Sequence, residues 1–228
     1  MKNMGFSRLV LADPIGYDDP SYFDTEARRF AWDAADILDA RHEAATLSEA
    51  LAGCTLVAGT SSRPSDVARV MPPEEIATAI ASHLAALPSG RAALLCGQED
   101  IGLTHEAQAR CQLIGSVASA PAYPSLNLAQ AALLFLYEMR RAFLSDAPAA
   151  PESGGAAGPP THAEIESCLS RAEEALEALD FFQGTSRQHM MRDLRALCHR
   201  ALLTSRELAI AEGVIHRILW LARQRPPS

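Results

Sequence analysis

The sequence predicts an α/β protein: a parallel sheet covered on both faces by helices, followed by a small all-helical part. Three observations predict it. Over residues 1–145, short β-branched or Leu-rich runs alternate with helical apolar spacing, the pattern of a parallel sheet buried on both faces. Residues 146–160 (DAPAAPESGGAAGPP) hold four prolines and three glycines and no large apolar side chain, so they bury nothing and read as a flexible linker. Residues 161–228 carry no strand signal at all.

The elements follow in order. Strands are predicted at 8–12 (RLVLA), 55–59 (TLVAG), 92–96 (AALLC) and 112–117 (QLIGSV), near-continuous apolar runs of strand length. Helices are predicted between them at 25–38, 73–87 and 103–110, then over the longer stretch 126–143. The helix at 73 has a clear start signal, with Pro73 at its first position and Glu74 and Glu75 in its first turn. In the last part, 163–179, 188–202 and 205–223 each show i, i+3, i+4 apolar spacing. The predicted organisation is a sheet domain over 1–145, a linker over 146–160 and a helical unit over 161–228.

Composition bounds the function. The chain has 228 residues, 48% apolar and 21% charged, with mean hydropathy near zero, as ordinary globular proteins have. No segment approaches the roughly 18 apolar residues of a membrane span, and no basic-then-apolar leader opens the chain, so a cytoplasmic protein is expected. The five cysteines (Cys54, Cys96, Cys111, Cys168 and Cys198) are far apart, with no CxxC pair and no histidine at metal spacing; reduced thiols and no metal are expected. The 20 basic against 28 acidic side chains give a net charge of −8, which on its face opposes a nucleic-acid partner.

In α/β sheets, ligands bind beyond the C-terminal ends of the strands, so the loops there carry the chemistry. After the second predicted strand come Thr60, Ser61, Ser62 and Arg63, hydroxyls and a cation that suit a polar ligand and equally a turn with a helix cap. After the third comes GQEDIGLT, where Gly97 and Gly102 permit close backbone approach around Glu99; a structural tight turn is the alternative. This is neither a GxGxxG nor a Walker loop. After the fourth comes ASAPAYPSLNLAQ, in which Pro121 and Pro124 stiffen a path that ends at Ser125 and Asn127, where a helix opens.

LLCGQEDIGL (94–103) and YPSLNLAQA (123–131) together resemble motifs 2 and 3 of the SpoU/TrmH family of RNA ribose 2′-O-methyltransferases. Residues 1–14 resemble the end of that family's motif 1 and its second strand. The helical part, with LDFF (179–182) and MMRDLRALCHRALLTSREL (190–208), is similar to the TrmJ branch, whose members modify the tRNA anticodon loop. The resemblance implies a SPOUT fold with a C-terminal trefoil knot, which no periodicity could suggest because knots are nearly absent from proteins. It implies S-adenosylmethionine as cofactor, no metal, tRNA as partner, position 32 as a target by analogy, and a homodimer built on the helix 126–143. It places Thr60, Ser61, Ser62, Gly97, Leu103, Val117, Pro124, Ser125 and Leu126 beside the cofactor. Ser125 and Asn127 fall near the reacting ribose, with Glu99 bracing the site.

A departure accompanies the resemblance. The family's motif 1 pattern N-x-G-x-x-x-R, whose arginine orients or deprotonates the ribose hydroxyl, would fall before Met1, and Arg8 in the second strand is no replacement. The expectation is a start placed too far downstream; the competing account is a catalytically impaired, RNA-binding homodimer. A generic α/β enzyme with another nucleotide cofactor is the third reading. Regional charge restores an RNA partner. Residues 181–228 hold eight arginines against three acids, so Arg187, Arg192, Arg195 and Arg200, with Arg63 at the sheet, are the candidate RNA contacts.

Overall fold

The computed structural model describes residues 1–13, 23–64, 70–120, 122, 125–145, 158–182 and 186–224. In chain order, β1 (Val10–Ala12) leads to two short helical pieces, α1 (Arg28–Ala31) and α2 (Ala35–Asp39), and then β2 (His42–Ala44) and α3 (Leu47–Leu51). Next come β3 (Leu56–Thr60), β4 (Val70–Met71), α4 (Pro73–Ala86), β5 (Ala92–Leu95), α5 (His105–Gln108), β6 (Leu113–Gly115) and α6 (Leu128–Leu144). The last part is α7 (His162–Ala178), α8 (Arg187–Arg200) and α9 (Ser205–Ala222).

The main sheet is wholly parallel with strand order β4-β6-β3-β5. Successive side chains on a strand point to opposite faces, and the core divides accordingly. Leu56 and Ala58 of β3 and Leu113 of β6 pack with Ile76 and Ile80 of α4 and Phe135 and Met139 of α6. Their neighbours Val57 and Ile114 pack on the other face with Leu51 of α3 and Cys111. The sheet is therefore covered on both sides, as its apolar strands require.

Two expectations need correction. Residues 8–12 do not join the main sheet: β1 pairs with β2 in a separate two-stranded parallel sheet, with Val10 opposite His42. The strand β2 is short and reads HEA, with no apolar run to announce it. The helix predicted over 25–38 is broken into a π-type turn (Phe23–Ala27), α1, a 3-10 turn (Trp32–Ala34) and α2, because Trp32 sits at φ +48, which an α-helix does not admit. The linker prediction falls outside the described residues except at 158–160.

The helical part begins with a capping box: Thr161 accepts from the Glu164 N–H, and Glu164 accepts from the Thr161 N–H. Thr204 and Glu207 repeat the device at α9. Its core is Cys168, Ala175, Leu208 and Ile215 from α7 and α9. It docks on the sheet part through His162, whose N–H donates to the Cys54 carbonyl at 2.8 Å. Beside this bond, Glu166 of α7 pairs with Arg110, which follows α5, at 2.9 Å and with Arg195 of α8 at 2.9 Å. His199 completes the junction at 3.2 Å from Glu166.

Candidate active site

The loops after β3, β5 and β6 meet at one edge of the sheet and enclose an open cleft with about 750 Å³ of empty space out to its mouth. Its lining includes Thr60, Ser61, Ser62, Arg63, Gly97, Glu99, Leu103, Val117, Ser125 and Leu126, from segments scattered over 67 positions of the chain, 60 to 126. Sequence-predicted residues are thus brought together; Pro124 alone among the expected cofactor contacts lies outside the described residues.

Each wall has a local cause. Ser61 extends the sheet by donating its N–H to the Gly115 carbonyl at 2.9 Å, and its hydroxyl accepts from the Arg63 N–H at 3.0 Å, closing a tight turn. The 97–103 loop folds back on itself, with the Gly102 N–H donating to the Gln98 carbonyl at 2.8 Å. Gly97 is required there: a Cβ would lie 2.1 Å from the Gly102 carbonyl carbon. Gly102 turns the chain at φ +68, open to glycine without strain. Leu103 is buried and anchors the end of the loop, and Thr104 then caps α5 by accepting from the Ala107 N–H at 3.1 Å.

Asn127 joins two walls. Its side-chain oxygen caps α6 by accepting from Ala129 N–H at 3.0 Å and Gln130 N–H at 3.3 Å. Its amide nitrogen donates to the Glu99 carboxylate across the cleft mouth. Asn127 is therefore held by its cap and its carboxylate bond, and Ser125 is left exposed on the lining beside the start of α6. Cys96, at the root of the same loop, stays a thiol: burial pushes its pKa up, against a smaller opposing effect of the contact with Thr60.

The reading from sequence missed Gln98, Asp100, Ile101 and the cleft floor made by Gly115, Leu128, Ala131 and Phe135. The floor was within reach of pattern: Leu128, Ala131 and Phe135 stand at i, i+3, i+7 on one helix face below Asn127. Of the candidate RNA contacts, only Arg63 reaches the cleft. The others lie on α8. Arg187 pairs with Glu173 at 2.6 Å and Glu177 at 2.9 Å, and Arg192 with its neighbour Asp193 at 3.0 Å. Arg195 faces inward onto Glu166, and Arg200 is exposed.

Two histidines meet away from the cleft. His162 and His199 are fully buried with ring centroids 4.9 Å apart, and with Glu166 they offer ligand atoms within 4.8 Å of one another. Arg110 and Arg195 both pair with Glu166, so the cluster forms an ion-paired joint between the sheet part and the helical part.

Comparison with known proteins agrees with this arrangement. Residues 1–137 match the SpoU rRNA methylase family, and residues 163–227 match the C-terminal domain of the tRNA methyltransferase TrmJ. The chain is 37% identical to the tRNA (cytidine/uridine/adenosine-2′-O-)-methyltransferase TrmJ of Pseudomonas aeruginosa, covering 98% of this chain and 87% of that one. It is 34% identical to the tRNA (cytidine/uridine-2′-O-)-methyltransferase TrmJ of Escherichia coli K12, covering 96% and 86%. Among solved structures, TrmJ from Z. mobilis superposes with a TM-score of 0.78 at 29% identity, covering 96% of this chain and 90% of that one. A parallel sheet with a loop-built cleft at its edge, a TrmJ-type helical part and this near-full-length identity make the chain a member of the SpoU methylase family, in its TrmJ branch.

Proposed function

We propose that the chain transfers a methyl group from S-adenosylmethionine to the 2′-hydroxyl of a tRNA ribose. The observation that carries the reading is the cleft itself, in which the three loops after β3, β5 and β6 converge on Ser125 and the Glu99–Asn127 pair. The lining fits the cofactor chemically. Ile101, Val117 and Leu126 offer apolar surface to a purine, the hydroxyls of Thr60, Ser61 and Ser62 suit polar groups, and Glu99 and Asp100 complement an ammonium and a sulfonium. Bound there, S-adenosylmethionine supplies an electrophilic methyl group.

The protein's part is positioning and proton removal, because a ribose hydroxyl is a weak nucleophile at neutral pH. Ser125 takes the hydroxyl at the cleft mouth and assists loss of its proton. Asn127 and Glu99 hold the segment that presents Ser125. Arg63 at the rim receives a phosphate, and the helical part extends the tRNA contact through α8.

Three further parts belong to the same reading. A second copy covers α6, whose Leu133, Leu134, Tyr137 and Leu144 are exposed. A trefoil knot is supported by β6 lying between β3 and β4, with the chain after it returning to the 97–103 loop through Asn127. Position 32 and a cytoplasmic setting follow from the family resemblance; no helix among the described residues is long and apolar enough to cross a membrane.

The test is incubation of the full chain with unmodified tRNA and isotope-labelled S-adenosylmethionine, followed by nuclease digestion and mass spectrometry. Labelled 2′-O-methyl nucleoside is expected, with loss of at least about a hundredfold in Ser125→Ala. Binding of cofactor and tRNA without any labelled product would overturn the transfer reading and favour the impaired RNA-binding homodimer.

A further inference from the structure

Gln108 ends α5 and is 5% exposed. Its side-chain nitrogen donates to the Leu103 carbonyl at 3.0 Å and to the Arg63 carbonyl at 3.3 Å, and lies 3.5 Å from the Ser61 hydroxyl. Those acceptors sit on different walls of the cleft. Ser61 and Arg63 belong to the loop after β3, and Leu103 closes the loop after β5. Gln108 itself is not part of the lining. A primary amide is suited to this place: it carries two N–H donors on one planar nitrogen, where a hydroxyl has one and a carboxylate none. The strands β3 and β5 are neighbours, but their register ends at Gly59 and Leu95, so ladder bonds do not set the spacing of the loops beyond. Gln108 does.

We infer that Gln108 is a positioning residue for the cofactor cleft, clamping the loops after β3 and β5 at the separation that S-adenosylmethionine requires without touching the ligand. The inference rests on the cofactor reading above and names a residue that reading does not contain. Removing both donors leaves two carbonyls short of a partner and frees the walls to move apart.

The experiment measures binding of S-adenosylmethionine to the full chain by calorimetry, with Gln108→Met and Gln108→Glu beside the unmodified protein. Gln108→Met keeps the length and loses the donors; its Kd is expected to rise roughly tenfold, equally across pH, the scale of a lost buried hydrogen bond. Gln108→Glu sets a carboxylate against two carbonyls at about pH 8, and burial raises its pKa so that at about pH 6 the protonated acid donates again. The ratio of its Kd to that of the unmodified protein is therefore expected to fall severalfold between those pH values. A purely structural role would lower thermal stability without that pH-dependent recovery. Both variants binding within about twofold of the unmodified protein, or a flat ratio for Gln108→Glu, overturns the inference; if Gln108→Glu does not fold, Gln108→Met decides it. Absence of binding by the unmodified protein overturns the cofactor reading and the clamp together, which separates the two failures.

Discussion

Gly97 is the residue on which the cleft's shape depends most narrowly. Its missing Cβ lets the chain close on Gly102 and Leu103, and the atoms a methyl group would strike, at 2.1 and 2.3 Å, are backbone atoms that cannot rotate away. Gly97→Ala is expected to cost about 1–3 kcal/mol and to abolish cofactor binding, read by thermal melting and calorimetry; unchanged binding would refute the geometry of the loop. Phe135 acts at the same scale from below. It is 1% exposed, belongs to the core against α4, and lines the cleft floor. Phe135→Ala is expected to lose about 3–5 kcal/mol, visible as a lower denaturation midpoint.

Among the elements, the joint between α5, α7 and α8 is built to fail in acid. Burial first, and then the positive field of His199, Arg110 and Arg195 against the opposing charge of Glu166, holds His162 down at about 4. For Glu166, burial alone would raise the pKa, but the bonds from His199 and Arg195 and the charge of Arg110 outweigh it and hold the carboxyl at about 2. Both signs point the same way. A histidine whose folded pKa is depressed is protonated first in the unfolded chain, so stability falls as pH drops below 6.5 toward 4. A carboxylate whose folded pKa is depressed stabilises above 4.5, and that contribution disappears as pH falls from there toward 2. Denaturation at pH 7.5 and pH 5 is expected to differ by about 2 kcal/mol from His162, with the difference much reduced in His162→Gln. Glu166→Gln strands Arg110 and Arg195 in a half-buried site and is expected to cost about 3–5 kcal/mol at neutral pH.

At the scale of the molecule, charge has to be counted by packed unit. The eight arginines after residue 181 look like a basic tail, but α7 packs its own acids against them: residues 161–228 contain nine arginines and nine acids. Arg187 and Arg195 are held by Glu173, Glu177 and Glu166 of α7, whereas the acid paired with Arg192 is its own helix neighbour Asp193 and Arg200 is exposed, so the proposed RNA surface on α8 is tested at Arg192 and Arg200. Replacing both by glutamine is expected to weaken tRNA binding and to lower its salt slope by about one to two. Arg195→Gln would instead report the joint with Glu166. The exposed face of α6 sets the other molecular prediction: the protein sediments as a dimer, and Leu134→Glu with Tyr137→Glu shifts it to monomer.

Local pattern was enough for the class of the fold, the parallel sheet strands at 55–59, 92–96 and 112–117, the long helices, and the two motifs around Glu99 and Asn127. It sufficed because these are local properties: buried strands need continuous apolar runs, helices show their period, and glycine, proline and capping residues mark turns. It did not determine that β1 leaves the main sheet for β2, because a three-residue strand reading HEA has no periodicity to detect. Nor did it reveal the clamp of Gln108 or the joint of His162, Glu166 and His199, whose members lie up to 47 and 37 positions from their partners. Such polar contacts leave no trace in hydrophobic pattern. They exist only once the packing of apolar faces has brought distant segments to hydrogen-bonding distance, so the tertiary structure alone decided which glutamine, which arginine and which histidine carry them.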